Sequence, residues 1–158
     1  MGNRGVITCK ADLTGVGLYL HWNGGRASVE GFLAYCKLKG YRTPDRDNYG
    51  WAYLAGVCTN FFGDGLSCGL DIARELDCDN YDNGVFLIEN WIITGRMFRR
   101  GSEQYDYELR DVIEGIDNHM PEKMRLTAAE WEKFDEVAAA VMDARKTAVD
   151  YDRPRSRK

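Results

Sequence analysis

Between Leu18 and Tyr41 the chain changes from strand character to helical periodicity across one glycine-rich junction, and that change limits what it can fold into. Gly17 to Trp22 is aliphatic and aromatic, the composition of a β-strand. Val29, Phe32, Leu33 and Cys36 then recur at i, i+3, i+4 and i+7, one face of a helix. Asn23, Gly24, Gly25 and Arg26 lie between the two, with Ser28 or Asn23 as the helix cap and Gly40 at the far end. Such a junction requires a sheet and a helix that packs on it.

Gly5 to Cys9 supplies a second strand, and the intervening Asp12-Leu13-Thr14-Gly15 predicts a hairpin with Gly17 to Trp22. Leu54, Val57, Cys58 and Phe61 mark a second helix, stopped by Gly63 or Gly65. Leu66 to Ile72, the wholly apolar Val85 to Ile88 and Trp91 to Arg96 read as three strands of a meander or hairpin. Asp77 to Gly84 between them reads as a solvated turn, because its acidic residues lack the bidentate glutamate of a calcium loop. Leu109, Val112, Ile113 and Ile116 mark a third helix that Pro121 ends. Thr127-Ala128-Ala129-Glu130 is a capping box that opens one long helix over 127–149, with Trp131, Phe134, Val137 and Val141 on its apolar face. The order predicts an α+β fold, a single domain over 1–150, with a small, mostly antiparallel sheet and about four helices. A basic tail over 151–158 is expected to be disordered.

The 44% hydrophobic content is enough for one real core. Five cysteines without a CxxC pair, and only His21 and His119, predict reduced thiols and neither a metal nor another cofactor. No apolar run reaches the ~20 residues of a membrane span, and the first residues carry no signal-peptide stretch, so the chain reads as cytoplasmic. A formal charge of −4 argues against general DNA binding. It suits a protein partner, or a small ligand held in a local basic pocket. No GxSxG, HExxH or P-loop motif appears, so no catalytic residue is assigned and the chain reads as a binding protein more than an enzyme. Its oligomeric state stays open.

The junction itself is one candidate site. Free N–H groups at a helix start, two glycines and a fork-shaped cation can cradle a phosphate, so Asn23, Gly24, Gly25, Arg26 and Ser28 are candidate ligand-binding residues, with Trp22 beside them to stack on a base. The glycines equally suit a tight turn with no ligand. Tyr49 and Trp51 beside a turn, and the basic cluster Arg96, Arg99 and Arg100, are candidate interaction residues.

Gly24, Gly25 and Ser28 resemble the PP-loop of ATP pyrophosphatases, although Asn23 and Ala27 replace its serine and aspartate. Over roughly the first hundred residues, MGNRGVIT, GVGLYLHWNGGR, VEGFLAYCKLKGY, YGWAYL, NFFG and DNGVFLIENW resemble a family of small uncharacterised proteins carried by bacteriophages and integrative elements. That resemblance implies a counter-defence inhibitor, similar in role to anti-CRISPR proteins, which acts on a host protein or nuclease complex. The alternative it leaves is a sponge for a phosphorylated signal such as a nucleotide.

Overall fold

The computed structural model describes residues 2–63 and 67–151. β1 (Gly5–Thr8) and β2 (Val16–Leu20) pair antiparallel, so the predicted hairpin forms. α1 (Arg26–Leu38) and α2 (Tyr49–Phe62) follow at the two predicted helical stripes. β3 (Cys68–Ile72), β4 (Val85–Glu89), β5 (Ile92–Met97) and the two-residue β6 (Val149–Asp150) complete a six-stranded sheet in the order β3-β2-β1-β4-β5-β6. Pairing is antiparallel except for β1 with β4 and β5 with β6, which are parallel. The class is α+β as expected, with a larger and more mixed sheet than the alternation suggested.

The expected meander over 66–96 is only half present. β4 and β5 form a hairpin, and its two-residue turn, Asn90 and Trp91, is left-handed at both positions (φ 53° and 63°). β3 instead crosses to the far side of β2. A short strand of alternating polarity carries no signal for which neighbour it will join, whereas apolar β4 had to be central. Leu66, where that strand was expected to start, lies outside the described residues, as does the tail from residue 152 onward.

Ile7, Leu18, Leu20, Phe86, Ile88 and Ile93 face α1 and α2 in the main core. Helix α1 is covered on nearly all sides, because α3 (Leu109–Asn118) packs across its outer surface. Gly31 permits that approach, since a Cβ there would strike Val112. Val6, Val85 and Leu87 form a second core on the other face, covered by Cys78, Leu13, Leu76 and Phe98. The 77–84 segment is therefore no solvated turn. Asn80 is 1% exposed; its Nδ2 donates to the Asp77 and Gly84 carbonyls, and its Oδ1 accepts from the Asp82 and Gly84 N–H groups.

The last helical region also differs from expectation. The capping box forms, but α4 (Ala128–Trp131) ends at once and α5 (Phe134–Thr147) starts separately. The Lys133 N–H tightens onto the Glu130 carbonyl, and the break sets the Trp131 and Phe134 rings side by side with Arg110 over both. Val137 and Val141 are buried as predicted, while Trp131 and Phe134 are only half-buried.

Candidate functional site

Helix α1, the end of β5, the irregular 98–108 segment and the end of α5 meet at a cluster of buried charge. Arg26 and Glu30, one helical turn apart on α1, are 6% and 3% exposed. Arg96 follows Phe86 on the face of the sheet that α1 covers, and its guanidinium lies 3.7 Å from the centre of the Phe86 ring. Arg145 reaches in from α5 and holds Glu30 with two contacts of 2.9 and 3.1 Å. The Tyr107 hydroxyl donates to the same carboxylate at 2.7 Å, so burial first, and then this bond, push its ionisation up. Burial works to lower the basicity of Arg145, but its contacts with Glu30 outweigh that and raise it.

Glu103 is the hub. Its Oε2 accepts from Arg26 Nε at 2.8 Å, and its Oε1 accepts from Arg96 Nη1 at 2.9 Å and stands 3.5 Å from Arg99 Nε. Arg99 also pairs with Asp150 of β6 at 2.8 Å. Among the described residues, the guanidiniums of Arg26, Arg96, Arg99 and Arg145 thus meet the carboxylates of Glu30, Glu103 and Asp150. Desolvation of so many charges is costly, and the close contacts of Arg26, Arg96 and Arg145 offset it, while the buried Arg99 Nε makes no hydrogen bond within the described residues.

Two cavities flank the hub, and Arg26 with Glu103 walls both. One, about 400 Å³, lies against the first turn of α1 and is lined by Asn3, Gly25, Ala27, Ser28, Asn83 and Gln104. The other, about 170 Å³, lies among Arg96, Arg99, Tyr105, Arg145 and Asp150.

The structure therefore brings Arg26, Arg96 and Arg99 of the sequence candidates together, and Gly25 and Ser28 border them. Arg26 does not stand free at the junction, because Glu103 and Glu30 hold it. Gly24 is buried, with its N–H on the Asn3 carbonyl at 2.7 Å, and a Cβ on it would strike the Gly5 backbone. It serves close packing of the junction on β1, not ligand approach. Asn23 is left-handed (φ 57°) and donates to the Ser28 hydroxyl at 3.2 Å. Trp22 is exposed and packs edge-on against His21, away from the cavities. Tyr49 is exposed under Arg42, and Arg100 pairs with Asp79, both outside the hub. Trp51, read as flanking a turn, is buried in the main core, and Arg96, read as part of a surface cluster, is 4% exposed. Glu30, Glu103, Tyr107, Arg145 and Asp150 were missed. The Arg26–Glu30 and Arg99–Glu103 spacings are visible in sequence; Tyr107, Arg145 and Asp150 reach their partners from distant segments.

A second candidate is the outer edge of β3. Among the described residues no strand pairs with it. Its five pairs with β2 run without a bulge, and the His21 N–H on the Ser67 carbonyl and the Ala73 N–H on the Gly15 carbonyl set the phase. In that phase Gly69 and Asp71 turn their backbone groups to β2, and Cys68, Leu70 and Ile72 turn theirs outward, where the Ile72 N–H donates to the Asp71 carboxylate at 2.7 Å. Leu70, Ile72 and Val16, side by side on one face, are exposed. A cavity of about 320 Å³ adjoins Val16, lined by Lys10, Pro44, Asp45, Asp47 and Trp51 among others.

Among the described residues no group of three or more His, Cys, Asp or Glu is placed to hold a metal ion, and no helix is long and apolar enough to cross a membrane. No family model, curated protein or solved structure matches the chain.

Proposed function

We propose that this chain is a non-enzymatic binding protein that acts by adding a strand of a partner protein to β3. The open edge of β3 carries the reading. Edge strands are ordinarily blunted by proline, lysine, a bulge or extreme shortness. The opposite edge, β6, is two residues long. β3 has none of these devices in five regular residues; Asp71, its only charge, takes the Ile72 N–H, and the Leu70 backbone groups remain turned outward. Three outward-facing residues and an adjoining apolar strip fit strand addition, in which main-chain bonds supply affinity and side-chain pockets supply selectivity. The resemblance to proteins of bacteriophages and integrative elements supports a counter-defence setting, with a host protein or nuclease complex as the partner.

The test uses Leu70→Pro. The Leu70 N–H points away from β2, so proline there removes an edge donor without cutting the ladder. Tagged wild type should retain a partner from bacterial lysate that Leu70→Pro, folded by circular dichroism, loses. Equal retention by both contradicts the reading. A wild-type dimer in solution that Leu70→Pro dissolves assigns the edge to a second copy and contradicts it as well.

A further inference from the structure

We propose that the Glu103 carboxylate is a built-in substitute for a phosphoryl group, and that Arg26, Arg96 and Arg99 around it bind a small phosphorylated molecule once Glu103 withdraws. The inference is independent of strand addition at β3.

The first support is the coordination of Glu103. Three guanidiniums from three different parts of the fold converge on one carboxylate, with contacts of 2.8, 2.9 and 3.5 Å. A phosphoryl group offers a further oxygen to the same forks, and charge-assisted contacts of this type favour it. The second support is charge. Glu103 is the carboxylate that Arg26, Arg96 and Arg99 share, and Arg26 and Arg96 are buried beside it. A phosphoryl group restores the negative charge that its withdrawal takes from those cations.

The third support is how Glu103 is carried. Between Met97, where β5 ends, and Leu109, where α3 begins, the chain forms neither strand nor helix. Arg96 belongs to β5 and Arg26 to α1, so Glu103 can leave while those two cations stay fixed. The fourth support is space. Arg26 and Glu103 form the wall common to the 400 and 170 Å³ cavities. Withdrawal of Glu103 joins them into a site of several hundred Å³, the range of small-molecule pockets. The first turn of α1, with its unsatisfied N–H groups, borders the larger one. The ligand class is therefore a pyrophosphate or nucleotide, not a neutral metabolite.

The probe is inorganic pyrophosphate, titrated by calorimetry into wild type, Glu103→Ala and Glu103→Gln. Removal of the competing carboxylate should tighten binding at least about tenfold, equivalent to ~1.4 kcal/mol. Arg99→Ala added to either variant should remove the gain. In wild type, saturating pyrophosphate should speed amide hydrogen exchange in residues 102–107 as that part of the segment lifts, while Arg99 stays tied to Asp150. A folded Glu103 variant with wild-type affinity overturns the proposal, as does a gain that survives Arg99→Ala. Should neither variant fold, exchange in 102–107 that pyrophosphate leaves unchanged overturns it.

Discussion

At Arg26 the sequence offers a cation beside two glycines, and the fold gives that cation two carboxylates in place of solvent. The reverse happens at Asn80, whose place in an acidic stretch suggests exposure. Its amide instead closes four hydrogen bonds inside the second core. Asn80→Ala would leave buried backbone groups unpaired, and should cost about 2–3 kcal/mol in urea unfolding. Trp91 is a comparable case. Its ring is 2% exposed and its indole N–H donates to the Tyr41 carbonyl at 2.9 Å. Trp91→Ala should cost ~3–5 kcal/mol, and Trp131→Ala, at a half-buried ring, clearly less. An equal loss for the two would contradict this ranking. Burial also pushes up all five thiols, Cys9 to about 12. At pH 8 they should react slowly with a disulfide reagent in the native state, and all five should react after unfolding; fast native reaction would contradict the burial.

At the scale of elements, the stripes of Val29–Cys36, Leu54–Phe61 and Leu109–Ile116 were legible because helical periodicity is local. Unbroken apolar character likewise marked β4 as central, and the capping box marked the start of α4. Thr127→Ala should remove about 1 kcal/mol, read as a lower melting temperature. What could not be read depends on partners distant in sequence. β3 had no preference written into it between β2 and β4. The break after Trp131 places that ring and Phe134 under Arg110, a partner distant in sequence, and no glycine or proline marks it. Arg99 stands four residues before Glu103, but the arrival of Glu103 at Arg26 has no local signal. One long-range tie shows in pH dependence. The hydrogen bond from Arg4 Nε at 2.8 Å, aided by the Arg4 backbone N–H, holds Asp82 below the usual carboxylate range. A depressed native value stabilises the fold above the ordinary aspartate value of about 3.9, and that stabilisation is lost as pH falls through the native value. The urea midpoint should therefore drop between pH 5 and pH 3, and drop less in Asp82→Asn. Equal pH slopes would remove this pair from the account.

For the whole molecule, the sheet is finished at one end and open at the other. At the β6 end, Arg99 and Asp150 bind the final strand to the charged hub. At the β3 end, among the described residues, the Leu70 backbone groups turn outward and the side chains of Val16, Leu70 and Ile72 are exposed. The two proposals use this asymmetry separately, a protein strand at the open edge and a phosphoryl group at the hub. The claim that the open edge is the binding surface is tested most directly by residue-resolved amide hydrogen exchange on the free protein and on its complex with the captured partner. In the free protein, Gly69 and Asp71 should exchange slowly and Leu70 fast, with Ile72 slowed by its bond to the Asp71 carboxylate. On binding, the Leu70 amide should become protected. Protection that appears elsewhere while Leu70 stays fast would contradict the account.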